Sequence, residues 1–226
     1  MNFFIYIIHN YKLKERKKYL LDLFSCICNY KFIEIENIND NIIGEYYHCD
    51  DNIWINKCIN LYDPYPPPRK LVMGEIACTA SHLYALNDFM LNRQEDWILV
   101  LEDDAILQSN FNDEINLIIN KCPSNIDCIF IGGGFYHESV SVTKFTVGNF
   151  YYKNHPSTNT TVAYLVKRSF LTTLLDHFTS FTLPIDYELA YHLKATNAIV
   201  AHYIPYLVSE GSKDKYKSSL ASLLDR

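Results

Sequence analysis

The chain has 226 residues, 49% hydrophobic and 20% charged, with a formal charge of −6 at pH 7. That balance excludes a general nucleic-acid footprint, and only 7 Gly and 8 Pro exclude a long disordered segment. The length suits one α/β domain spanning 1–226, with a polar tail over 209–226.

Phe3 to Ile8 is continuous, aromatic and branched, as a fully buried strand requires. Lys14 to Cys28 follows with helical spacing, placing Leu20, Leu21, Phe24 and Ile27 on one face. The basic residues at its start, Lys14, Arg16, Lys17 and Lys18, read as a solvated helix face. Lys31 to Ile35 is a second strand, and this β-α-β opening predicts a central, mostly parallel sheet flanked by helices. Asn37 to Lys70 is irregular and ends in DPYPPPRK, whose four prolines exclude helix and central strand; a stiff surface loop is expected.

Glu75 to Met90 has helical spacing through Ile76, Leu83, Leu86 and Phe89. Ile98 to Leu101 is a central strand, Phe111 to Ile119 a helix, and Cys128 to Ile131 a buried strand ending in Gly132-Gly133-Gly134. Val140 to Tyr152 alternates as a hairpin would. Thr161 to Val166 is a strand with a helix after it. Tyr187 to Lys194 is a helix opened by Pro184-Ile185-Asp186, and Ile199 to Ile204 is a late strand.

Seven cysteines is an odd number, and they show no paired CxxC at zinc spacing. Buried reduced thiols in a cytoplasmic protein are expected. The apolar opening MNFFIYIIHN lacks a basic flank, and no run approaches a membrane span. Peripheral membrane association stays open. Asn159-Thr160-Thr161 is formally a glycosylation sequon.

The stretch WILVLEDDAIL carries the chemistry. Five apolar residues run into Glu102, Asp103 and Asp104, with no basic neighbour in sequence. In an open parallel sheet, ligands bind beyond the carboxyl ends of the strands, where this turn must lie. Like charges packed so closely call for a positive partner. Oxygen donors suit a hard divalent cation that completes its shell with water and substrate phosphate. The competing reading is a solvated acidic strand end.

Four segments in order, FIYIIHNYKLKERKKYL, GEIACTASHLYAL, ILVLEDDAIL and TTVAYLVKRSFLTTLL with LPIDYEL and IPYLVSEGSKDKYKSSL behind it, resemble the family 25 glycosyltransferases. That family includes lipopolysaccharide galactosyltransferases and collagen-modifying galactosyl- and glucosyltransferases. The resemblance implies a GT-A type α/β fold that binds a UDP-sugar with Mn2+ (or Mg2+). The implied reaction is inverting transfer of a hexose, galactose or glucose, to the hydroxyl of a glycan, a lipid-linked saccharide such as lipopolysaccharide, or a protein hydroxylysine. Carried over, Ile8, His9 and Arg16 lie near the nucleotide, Glu102 or Asp103 near the ribose, and Asp104 on the metal. Ala77 stands where the family usually has glycine, and Glu210 where glutamine is expected; Glu210 is a candidate late metal ligand with Glu102 and Asp104.

Inverting transfer needs a general base beside the acceptor hydroxyl. Asp186 is the candidate, although Asp so placed is also an ordinary N-cap. His82 either donates to the diphosphate or is a core histidine. Glu75 has the same ambiguity, since the helix dipole favours a carboxylate in a first turn. His202 and Tyr164 read as core, and Gly132 to Gly134 either approaches a phosphate or forms a loop. Two alternatives remain beside the transferase: a degenerate module that binds a nucleotide sugar without turnover, and a metal-assisted phosphohydrolase.

Overall fold

The order of strands and helices decides what the acidic turn meets. The structure, a computed structural model, describes residues 2–25, 29–34, 45–59, 61, 64–133, 143–153, 156 and 160–211. Strand β1 (Phe3–Ile8), helix α1 (Lys14–Phe24) and strand β2 (Tyr30–Ile33) form the predicted opening unit, with β1 and β2 parallel. The remaining elements are α2 (Asp51–Cys58), α3 (Met73–Asn92), β3 (Trp97–Glu102), β4 (Ala105–Leu107), α4 (Phe111–Lys121), β5 (Cys128–Phe130) and β6 (Gly132–Gly133). They continue with β7 (Thr143–Val147), β8 (Phe150–Lys153), β9 (Ala163–Lys167), α5 (Arg168–His177), α6 (Ile185–Ala195), β10 (Val200–Tyr203) and β11 (Val208–Glu210).

Eight strands form one sheet in the order β2-β1-β3-β9-β5-β10-β8-β7. Strands β2, β1, β3, β5, β10 and β7 point one way, and β9 and β8 run against them. The sheet is therefore mostly co-directional and is flanked by helices, as the sequence predicts for a GT-A type α/β protein. A small second sheet, β4-β11-β6, lies beyond it.

Alternation along the strands builds two cores. Phe4, Tyr6 and Ile8 of β1, with Ile98 and Val100 of β3, pack against α3, α5 and α6. Phe3, Ile5 and Ile7, with Trp97, Leu99 and Leu101, face α1 and α4. Ile5, Ile7, Leu99 and Val100 are fully buried, and each such side chain contributes about 1.5–3 kcal/mol. By the same alternation Glu102 falls on the α3 face.

The structure corrects four local expectations. Helix α1 stops at Phe24 rather than running to Cys28, and residues 26–28 lie outside the described set. Its basic start is not uniformly solvated, because Arg16 is buried. Within 37–70, Asp50 caps a helix, α2, by accepting from the backbone N–H groups of Asn52 and Ile53. The proline stretch is tied to that helix, since Trp54 Nε1 donates to the Pro66 carbonyl at 2.8 Å. The polar tail expected from 209 begins later: Ser209 and Glu210 pair with Ile106 and Ala105 in an antiparallel ladder.

The expected hairpin is present as β7 and β8, turning at Gly148, whose φ of +58° suits glycine. Gly132 is a packing glycine: a Cβ there would meet Ala163 Cβ at 2.8 Å and Val162 Cγ1 at 2.9 Å. Gly134 and the sequon residue Asn159 lie outside the described residues. Cys49, Cys58, Cys78, Cys122 and Cys128 are free thiols. Among the described residues, no helix is long and apolar enough to cross a membrane.

Candidate active site

Strand β3 runs parallel to β1, and Ile8 stands opposite Glu102. The acidic turn therefore emerges beside His9, the residue that follows β1. Asp103 turns toward α1 and is almost fully buried. Arg16 Nη1 donates to its Oδ1 at 2.6 Å. Its Oδ2 lies 2.9 Å from His9 Nδ1 and accepts from the Asn10 backbone N–H at 3.0 Å. Burial alone would raise the Asp103 pKa, but His9, Arg16 and the Asn10 amide outweigh it and hold the carboxyl below its ordinary range. The positive partner absent from the local sequence is thus supplied from 87 residues away.

Glu102 turns the other way. Thr161 donates to its Oε1 at 2.5 Å, and His82 Nε2 on α3 faces the same oxygen at 3.4 Å. His82 is fully buried. Its Nδ1 lies 2.9 Å from the Tyr164 hydroxyl, and the two rings stack. Cys78, one helical turn before His82, is partly exposed. Burial first, then the charges of Glu102, Asp103, Asp186 and Asp104, hold its thiol well above the ordinary value. Those four carboxylates therefore surround one point, at the meeting of the β3 end with the starts of α3 and α6.

Asp104 is buried, and its carbonyl accepts from the Gly211 N–H at 2.8 Å. Together with the pairing of Glu210 to Ala105, this lays the late strand β11 against the acidic turn. Gly132 and Gly133 pair with Val208 and Ser209 on the other edge of β11, so the glycine pair serves to seat that strand.

Asp186 is not an N-cap. Pro184 holds that position and makes no side-chain cap bond. Burial raises the Asp186 carboxyl to about 7; the charges of Glu102 and Glu75 add to the rise, while nearby backbone N–H groups oppose it. The loop before it is fastened by Glu188, which is fully buried and accepts from the N–H groups of Thr182 and Leu183 at 3.1 and 2.9 Å. Glu188 also pairs with Lys57 of α2 and with His192 Nε2 at 2.9 Å. Glu75 is held structurally, accepting two bonds from the Arg69 guanidinium at 2.7 and 2.6 Å and one from the Val72 N–H.

The structure brings Asp103, His9 and Arg16 into one cluster and His82 and Glu102 into another, and it lays Glu210 beside the Asp104 turn. Glu75 is committed to Arg69, while Ile8 is core with its backbone beside Glu102. His202 is buried, stacked on Phe130 and bonded to the Tyr206 hydroxyl. Sequence reading overlooked Cys78, Thr161, Lys57 and Glu188. Only Cys78 left a signal, its spacing of four from His82 on a helix.

Glu102, Asp104 and Glu210 are oxygen donors at one turn, and they fit a hard cation such as Mn2+ or Mg2+. Asp103 does not join that set, because both its oxygens are engaged by His9, Asn10 and Arg16.

The family model described as Glycosyltransferase family 25 (LPS biosynthesis protein) matches residues 3–189. The class of protein is a glycosyltransferase, and the chain belongs to family 25 of those enzymes. No curated protein sequence matches the chain. Similar solved structures include a glycosyltransferase involved in the glycosylation of the major capsid of PBCV-1, at 11% identity and TM-score 0.49, covering 92% of this chain and 91% of that one. A197 from STIV is 11% identical with TM-score 0.45, over 92% of this chain and 83% of the other. Mouse xyloside xylosyltransferase 1 is 13% identical with TM-score 0.40, over 88% and 71% respectively.

Proposed function

We propose that this glycosyltransferase moves a hexose, galactose or glucose, from a UDP-sugar to an acceptor hydroxyl, with inversion and with a divalent cation. The acceptor class that fits the family description is a lipopolysaccharide glycan; a hydroxylysine hydroxyl is the other chemistry of the resembled family. The observation that carries the reading is the convergence of the Glu102–Asp104 turn with the raised carboxyl of Asp186 around Cys78.

The acceptor O–H attacks the anomeric carbon, and its proton passes to the Asp186 carboxylate. The bond from the anomeric carbon to the phosphate oxygen breaks, and UDP leaves with that electron pair. A carboxyl poised near 7 is suited to this transfer, because a base works best when its pKa lies near the working pH. Glu102, Asp104 and Glu210 would hold Mn2+ or Mg2+, which when bound neutralises the diphosphate leaving group. The Arg16–Asp103–His9 cluster fixes the turn that presents Glu102 and Asp104, beside the nucleotide.

The test is UDP release from a panel of UDP-sugars, with and without Mn2+, for the native chain and Asp104→Ala. Manganese-dependent release from one UDP-hexose, lost in the variant, supports the reading. Metal-dependent UDP binding with no turnover from any donor, with acceptor glycans present, would favour the nucleotide-sugar-binding module. Phosphate release from simple phosphoesters would favour the hydrolase.

A further inference from the structure

Cys78, His82 and Glu102 stand apart from the hard-cation donors in chemistry, though not in place. Cys78 and His82 are four apart on α3 and so share a face. Their ligand atoms and a Glu102 carboxylate oxygen all lie within 4.8 Å of one another. Zinc bonds of about 2.3 Å to sulfur and about 2.0 Å to nitrogen and oxygen place such donors roughly 3.3–3.8 Å apart. A small closing of side chains brings the three to that spacing.

His82 gives an independent sign of a ligand. It is fully buried, and its Nε2 has no hydrogen-bond partner although it faces Glu102 Oε1 at 3.4 Å. With the ring proton on Nδ1, donating to the Tyr164 hydroxyl at 2.9 Å, the Nε2 lone pair points at a carboxylate. Two electron-rich atoms facing each other in a dry site are stable with a cation between them. The surroundings are those of a metal-bound histidine, whose other nitrogen is oriented by a hydrogen bond. Thr161 orients Glu102 in the same way, with its hydroxyl on Oε1 at 2.5 Å. Cys78 is partly exposed, which leaves a path for exchange and room for a water as fourth ligand.

We infer that Cys78 Sγ, His82 Nε2 and Glu102 form a second cation site, selective for a thiophilic divalent ion such as Zn2+, next to the oxygen-donor site of Asp104 and Glu210. The thiol loses its proton to solvent as the cation binds, and the thiolate becomes the ligand. Because Glu102 belongs to both donor sets, zinc bound here withdraws it from the hard cation and so inhibits transfer. That consequence rests on the transferase reading; the site itself does not.

Cobalt is the probe, since a thiolate bound to Co2+ gives a charge-transfer band in the near ultraviolet. Titrating Co2+ into the full chain should raise that band to saturation at one ion per chain, and added Zn2+ should abolish it. Cys78→Ser and His82→Gln should each remove the band or weaken cobalt binding at least tenfold, whereas Asp104→Asn should keep it. Tyr164→Phe should weaken binding roughly 10–100-fold, the usual effect of losing an orienting partner. Absence of the band in the native chain overturns the inference, as does its survival in whichever of Cys78→Ser and His82→Gln retains the native circular dichroism. Either result leaves manganese-dependent UDP release unaffected, so failure here is separate from failure of the transferase reading.

Discussion

Arg16 Nη1 and Asp103 Oδ1 meet at 2.6 Å, with both side chains buried, across a sequence separation of 87 residues. This contact ties the first helix to the turn after β3. Removing one member leaves the other charge buried and uncompensated, which costs about 3–5 kcal/mol. Arg16→Met should lower stability by that order in urea denaturation. The double variant Arg16→Met/Asp103→Asn should recover part of the loss, because no lone charge remains. Full additivity of the two single variants would show that the pair does not act as a unit.

Asp186 yields a prediction in pH. Its folded pKa of about 7 lies above the ordinary value of 3.8. Between those values the folded state binds more protons than the unfolded state, so stability falls as pH rises from about 4 to about 7. Asp186→Asn should therefore be more stable than the native chain above pH 7, by up to about 4 kcal/mol at about 1.4 kcal/mol for each pH unit between the two values. The gain should vanish below pH 4. Catalysis runs the other way: it needs the ionised base, so kcat/KM should rise about tenfold per pH unit below 7. Asp186→Asn should lower kcat about 10²–10⁴-fold. An unchanged pH–rate profile in that variant would remove Asp186 from the base role.

The Lys57–Glu188 pair fastens α2 to the loop that delivers Asp186. Burial would raise the Glu188 carboxyl, but the His192 bond and the Lys57 charge outweigh it and hold it below its ordinary value of 4.5. The stability it contributes is present above that value and is lost as pH falls through the lower folded pKa. Lys57→Met should destabilise the chain by about 1–3 kcal/mol at pH 7, and the deficit should shrink toward pH 3. Because the loop leading to Asp186 loosens, kcat should fall more than KM rises. Thermal melts across pH and steady-state kinetics test both parts.

Much of the scaffold was legible before any coordinates. Phe3 to Ile8 and Trp97 to Leu101 are uninterrupted apolar runs, and such runs have few alternatives to buried strands. The α3 helix and the hairpin before Lys153 announced themselves by period. Helix α2 was hidden, because its residues carry little amphipathic pattern and the prolines behind it suggested a loop. Its stability comes from the Asp50 cap and from burying Trp54 and Cys58.

The sequence by itself determined that three carboxylates end a central strand, that Asp186 opens a late helix and that Cys78 and His82 share a helical face. These follow from local period and from the alternation of strand side chains. Tertiary structure alone decided what each carboxylate does. Parallel pairing of β1 with β3 brought Arg16 and His9 to Asp103. The α3 face brought His82 to Glu102, and the β11 ladder brought Glu210 to the Asp104 turn. Burial lifted Asp186 toward 7. A charge's role depends on the partners and solvent around it, and both were set here by residues tens of positions away, which local pattern does not reveal.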